Sequence, residues 1–233
     1  MARNLKRTRS RASIAIKDGL SSIERPESSQ KSKKLKLHAS HTLESPYPHF
    51  ARPTSEEALE VLNILSNAHS TDGVVRERPP ASANSAESCG NVPNVLEALI
   101  GTILSQNTSG KNSSAAKANL DAKFGRNNFA AIASAPQGEV VEAIRNGGLA
   151  NKKAATIQAI LRSVREKHGE YSLQHLAGID AKSGRVIPND QIMQELISYD
   201  GVGPKTASCV LLFCLGRDSF SVDSHVYRLS RFL

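Results

Sequence analysis

From residue 93 onward, apolar positions recur at helical spacing. In PNVLEALIGTILSQNT the residues Val95, Leu96, Leu99, Ile100, Ile103 and Leu104 fall at i, i+1, i+4, i+5, i+8 and i+9, which is one face of a helix with Pro93 in its first turn. That helix ends in the polar run Ser105, Gln106, Asn107, Thr108. The same reading predicts helices near 111–124, 137–145, 151–168, 189–199, 204–215 and 224–232, punctuated by Gly125, Gly147, Gly148, Gly169, Gly184 and Gly216. No stretch alternates at period two for long enough to demand a sheet, so the predicted fold class is all-α, a compact multi-helix bundle with short connections. No repeat of solenoid length is present.

Upstream of this region the pattern weakens. Thr54 and Glu57 have capping-box spacing ahead of Leu59, Val61, Leu62, Ile64 and Leu65, which predicts a short helix over 55–66. Residues 70–92, with Pro79, Pro80 and a Ser/Asn/Gly-rich stretch to Gly90, read as loop. Residues 1–50 carry too few large apolar side chains to offset chain entropy and are expected to be a disordered basic arm. The expected organisation is therefore an arm over 1–50, a short helix and loop over 51–92, and a helical domain over 93–233.

Charge sharpens this division. The whole chain of 233 residues has a net charge of +8, but residues 1–50 hold 11 Lys+Arg against 4 Asp+Glu, and the other 183 residues hold 19 against 18. The body is nearly neutral, so any non-specific attraction to a polyanion resides in the arm. Lys31, Lys33, Lys34 and Lys36 suit a nuclear-import patch or a phosphate-binding tail, and the acid-free, Arg-rich first sixteen residues suit an organelle-targeting segment. The remaining alternative is a solubilising tail. The longest apolar runs, such as 210–215, fall far short of the roughly 20 residues that span a bilayer, so no membrane association is expected. Three cysteines do not make a disulfide framework, in keeping with an intracellular protein.

The stretch richest in chemistry is LISYDGVGPKTA, residues 196–207. Gly201 and Gly203 sit one residue apart between two helical runs, and Pro204 suits the first position of the second helix because its missing N–H has no partner there. Free N–H groups at that helix start, with the macrodipole, suit one phosphate oxygen. Taken alone such a turn is a mere connector. Lys205 is harder to dismiss, since a cation in a first helical turn opposes the dipole by about 0.3–1 kcal/mol. Eighteen positions later comes FSVDSHVYRL, in which Asp223 precedes a helical run and has N-cap spacing.

GVGPKTA followed by VDSHVYR, with LSQNT and GGLANKKA upstream, resembles the helix-hairpin-helix DNA glycosylase superfamily, most nearly its endonuclease III branch of glycosylase/AP lyases. The resemblance covers residues from about Pro93 to Leu233. It implies double-stranded DNA carrying a damaged base or an abasic site as partner, with Lys205 as the nucleophile that attacks C1′, expels an oxidised pyrimidine and cuts the strand by β-elimination from a Schiff base. It implies Asp223 as the carboxylate that supports deprotonation of the lysine and stabilises positive charge on the sugar. Gln106, Leu149 and His225 match the side chains that fill the space vacated by the flipped nucleotide, Gly201, Val202 and Gly203 match the phosphate-binding hairpin, and Lys152 and Lys153 match further backbone contacts.

Two departures accompany the resemblance. Many relatives hold a four-iron cluster on four C-terminal cysteines, whereas this chain has Cys89 in a loop and Cys209 and Cys214 on one helix about 140° apart, so neither an iron-sulfur cofactor nor another metal is expected. The chain also ends ten residues after Asp223, where relatives continue through several helices of a second lobe. Apolar surface on 55–66 and 224–232 is then expected to stand uncovered, inviting self-association or a protein partner. The competing readings are a catalytically inactive DNA-binding remnant and a relative acting on a different base; the monofunctional adenine branch lacks the lysine. The expected compartment is the nucleus, with the mitochondrion as a second address.

Because the net charge resides in the arm, deleting residues 1–50 should weaken binding to undamaged duplex and flatten the dependence of log K on log salt. A filter-binding salt series on both forms measures it, and an unchanged slope would place the charge contacts in the body instead.

Overall fold

The computed structural model of the chain describes residues 51–69, 94–178 and 186–232, with Ser32, Lys33, Lys36 and His49 besides. The expectations for the basic arm, for the loop over 70–92 with Cys89, and for Pro93 and Gly184 fall outside these residues, the four isolated positions apart.

Every regular element among the described residues is helical: α1 (Ser55–His69), α2 (Val95–Ser105), α3 (Gly110–Phe124), α4 (Phe129–Ser134), α5 (Gln137–Ala143), α6 (Ala150–His168), α7 (Asn189–Ile197), α8 (Pro204–Cys209) and α9 (Ser224–Leu229). Single 3-10 turns lie at Arg145–Gly147 and Gln174–Ala177, and a π turn at Val210–Cys214 continues α8. The capping box of α1 is formed, with Thr54 N donating to Glu57 Oε2 at 2.8 Å and Glu57 N donating to Thr54 Oγ1 at 3.3 Å. Asn94 caps α2 by accepting from Glu97 N at 2.9 Å, so the helix starts at Val95 and Pro93 precedes it. α6 stops at Gly169, whose φ of +75° lets its N–H reach the Arg165 carbonyl at 3.0 Å.

Two departures from the periodic pattern have physical reasons. α4 is six residues and the 3-10 turn at Gln174–Ala177 four, too short for an apolar repeat to register. The helix expected over 204–215 changes hand-hold after Cys209: Leu215 N donates to Val210 O at 3.0 Å, a π spacing that brings Phe213 out to 61% exposure.

α2 is the axis of the bundle. Its six apolar positions are each at most 1% exposed, and α3, α6, α8, the π turn and the 3-10 turn at Gln174–Ala177 pack around it. α6 contributes Ile157, Ile160, Leu161 and Val164 to the same core. Burying each such side chain contributes about 1.5–3 kcal/mol, which explains why the helices with these stripes form one unit. By contrast α1 and α9 bury no residue. Leu59, Leu62, Ile64 and Leu65 on α1 and Tyr227 and Leu229 on α9 stand exposed, as the sequence led one to expect.

One charge is buried at the start of α2. Glu97, 5% exposed, accepts from Lys117 Nζ at 2.8 Å and Arg126 Nε at 3.0 Å, and Lys117 also holds Asp121 at 2.5 Å. Burial pushes the Glu97 carboxyl up, but hydrogen bonds from Lys117 and Arg126 outweigh it and hold the group below the usual carboxylate range. This pins α3 and the Arg126 turn to α2.

Since the folded value lies below the unfolded one of about 4.3, the stabilisation from Glu97 is complete above that pH and is lost as pH falls through the folded value. Glu97→Gln should lower the thermal midpoint at neutral pH and make its fall on acidification shallower. Parallel acid limbs in wild type and variant would show that Glu97 contributes nothing through its charge.

Candidate functional site

The hairpin predicted over 200–203 is formed between α7 and α8. Val202 is fully buried and its N–H donates to the Tyr199 carbonyl at 3.2 Å, which closes the turn onto the core. Gly201 has φ +82°, and a Cβ there would lie 2.4 Å from Thr156 Cγ2 on α6. Its glycine is required by the fold. Gly203 differs: its φ is −107°, and a Cβ would meet nothing within 4 Å. The fold itself leaves room for a side chain at 203.

α8 opens with Pro204 at its first position and no side chain caps it. Lys205 stands exposed in that uncapped first turn. Asp223 caps α9, accepting from Val226 N at 2.8 Å and His225 N at 2.9 Å. The Val226 N–H does most to hold its carboxyl below the ordinary range; slight desolvation opposes this, and the His225 N–H and the charges of Lys205 and His225 add to it. Asp223 therefore performs the cap role and also shares an electrostatic field with Lys205. His225 is exposed beside it.

Two contacts, Gln106 with Thr206 and Gly201 with Thr156, tie neighbouring elements to α8 and its hairpin. Gln106, at the C-cap of α2, donates from Nε2 to Thr206 Oγ1 at 3.2 Å, one residue from Lys205. Leu149 precedes α6 in a left-handed conformation, φ +50° and ψ +33°, and is 54% exposed. A strained backbone holding a large apolar side chain in solvent is not a core leucine. The Gly201 contact with Thr156 seats the hairpin on the same helix that Leu149 begins.

Lys152 is exposed, but Lys153 requires a correction. It is 3% exposed, and its Nζ donates to Leu104 O at 2.8 Å and Gly147 O at 2.7 Å. Desolvation lowers its pKa. An ammonium inside the protein does not touch an external backbone; it ties the end of α2, beside Gln106, to the turn that carries Leu149. Thr206, Thr156 and Tyr199 were not singled out from the sequence, because nothing in spacing pairs Gln106 with a residue 100 positions away.

A separate cleft lies elsewhere. It measures about 490 Å³ and runs between α2, α3 and the π turn, lined by Gly101, Ser105, Asp121, Arg126, Cys209 and Phe213 among others, with none of Lys205, Leu149, the hairpin or Asp223. Cys209 and Cys214 are buried.

Compared with known proteins, residues 100–233 match the family described as HhH-GPD superfamily base excision DNA repair protein. A candidate DNA glycosylase of Arabidopsis thaliana is 32% identical over 81% of this chain and 67% of its own length. Endonuclease III of Sulfolobus acidocaldarius is 30% identical over 60% of this chain and 57% of its own, so the chain spans little more than half of that relative. Among solved structures, a non-covalent endonuclease III–DNA complex superposes with a TM-score of 0.52 at 24% identity, covering 76% of this chain and 68% of that one, a likeness of fold.

The two hairpin glycines should separate experimentally. Gly201→Ala is expected to cost about 1–3 kcal/mol through its positive φ and the Thr156 clash, read by urea denaturation. Gly203→Val, in a β-region backbone ahead of proline, should leave the thermal midpoint unchanged and weaken duplex binding at least several-fold. Normal affinity in Gly203→Val would make the hairpin a connector only.

Proposed function

Because the chain belongs to the HhH-GPD superfamily of base excision DNA repair proteins, we propose that it is a DNA glycosylase that removes oxidised pyrimidines and cleaves the resulting abasic site through an imine at Lys205. The observation that carries this reading is the pairing of an exposed lysine at the uncapped start of α8 with a carboxylate, Asp223, that feels its charge.

The chemistry these groups support is a displacement followed by an elimination. The neutral Lys205 amine, its proton removed with the support of Asp223, uses its Nζ lone pair to bond C1′ as the C1′–N bond breaks, and the base leaves with that electron pair and takes up a proton. Asp223 then faces the positive charge developing on the sugar, which a carboxylate stabilises strongly out of bulk water. Opening of the sugar ring gives the iminium, and loss of a C2′ proton expels the 3′ phosphate. Gln106, Leu149 and His225 fill the space of the extruded nucleotide, and the strained exposure of Leu149 supports that use. Gly203 and the first turn of α8 take a phosphate oxygen, Lys152 adds a backbone contact, and Lys153 acts by positioning the two wedge loops. The bare apolar faces of α1 and α9 support a protein partner or self-association. The lysine cluster in the arm supports a nuclear address.

Borohydride trapping on duplexes with an abasic site or an oxidised pyrimidine tests the reading. Wild type should give a covalent band on both, and Lys205→Ala none. Asp223→Asn keeps an N-cap acceptor, so it should fold normally and yet trap about 10²-fold more slowly. A folded, monodisperse wild type that binds duplex and traps on neither substrate would be a DNA-binding protein without the lyase chemistry.

A further inference from the structure

Away from Lys205, three side chains that the sequence reading left unremarked converge on one point. His168 ends α6, His175 lies in the 3-10 turn at Gln174–Ala177, and Glu195 lies on α7. His168 Nε2 is 3.0 Å from Glu195 Oε1, and His175 Nε2 is 3.1 Å from both Glu195 oxygens. The candidate ligand atoms of all three lie within 4.8 Å of one another. From these positions we propose that His168, His175 and Glu195 form a binding site for a zinc-class divalent cation.

The geometry suits such an ion. Zinc takes imidazole nitrogen and carboxylate oxygen at about 2.0–2.2 Å, which sets the edges of a tetrahedron at about 3.3 Å. The two imidazole–carboxylate separations in the protein are already close to that edge, so small side-chain movements seat an ion between three ligands. Two imidazoles and one carboxylate are a donor set for zinc and its transition-metal neighbours rather than for calcium or magnesium, which prefer oxygen. His168 and Glu195 are part-buried, at 25% and 24% exposure, and His175 is exposed at 40%, which leaves room for water as a fourth ligand.

A supporting shell is in place as well. Tyr199, 1% exposed, donates its hydroxyl to Glu195 Oε1 at 3.2 Å and lies 3.1 Å from His168 Nε2. That hydroxyl orients the carboxylate. Lys167 sits over the Tyr199 ring, 4.2 Å from its centroid. His168 stands in the last turn of α6, the negative end of its dipole.

The location gives the site a consequence. Tyr199 ends the α7 segment, and its carbonyl holds Val202 N–H in the hairpin. An ion that joins α6, the 3-10 turn and α7 through these residues braces the hairpin from beneath, stabilising the platform on which Gly203 and Lys205 stand. This is a structural role, and it does not depend on the identity of the reaction at Lys205.

The test is titration of the full, metal-stripped chain with Co2+ and then Zn2+. The expected result is one Co2+ per chain, with the visible d–d absorption of a low-coordinate nitrogen/oxygen site, no thiolate charge-transfer band, displacement by Zn2+, and a raised thermal midpoint with Zn2+. His175→Gln, at the most exposed ligand, and Glu195→Gln should each weaken binding at least tenfold, while Cys209→Ser leaves it unchanged. Circular dichroism establishes that each variant is folded. Absence of a spectrum, a thiolate band, or binding that persists in both folded ligand variants would overturn the site and leave the three residues as a hydrogen-bonded cluster.

Discussion

The arrangement of the site depends on a single buried ammonium. Lys153 replaces its water shell with the carbonyls of Leu104 and Gly147. A buried lysine is costly unless its donors are met, and two short hydrogen bonds to neutral acceptors, one in the last turn of α2, meet much of that cost. The geometric result is that the C-terminal end of α2 and the turn before α6 cannot drift apart. Gln106 and Leu149, the two side chains that these loops present, inherit that rigidity.

The hairpin divides its work between residues in a similar way. Val202 fills the core and closes the turn, Gly201 lets the chain pass over Thr156 in a left-handed conformation, and Gly203 leaves space that the protein itself does not use. Asp223 caps α9 by satisfying two of its N–H groups, and those same hydrogen bonds hold its carboxyl below the ordinary range.

Charge and apolar surface are distributed unevenly over the chain. The body is close to neutral, and the net positive charge of the chain resides in residues 1–50. The apolar faces of α1 and α9 are the reverse case, surface that pays no part in the core. The π turn after α8 adds Phe213 to this exposed set, beside a cleft lined by the Glu97 ion pairs rather than by the candidate nucleophile.

Helix positions, the capping box at Thr54 and Glu57 and the double-glycine hairpin were legible in the sequence, since each rests on spacing within one element or on a motif of neighbouring residues. The switch from α to π spacing after Cys209 and the short α4 were not, because too few residues carry them for periodicity to show. Lys153 was misread as a surface contact for a related reason: a lysine in a basic first turn looks exposed until the fold brings two carbonyls to it, one from 49 residues away. The sequence by itself determined an all-helical bundle and the residue types available for chemistry. Only the tertiary structure decided which of them meet: Gln106 with Thr206, Thr156 with Gly201, and His168 with His175 and Glu195. Such pairings join distant segments, and their partners are chosen by how the apolar face of α2 is covered rather than by any local pattern.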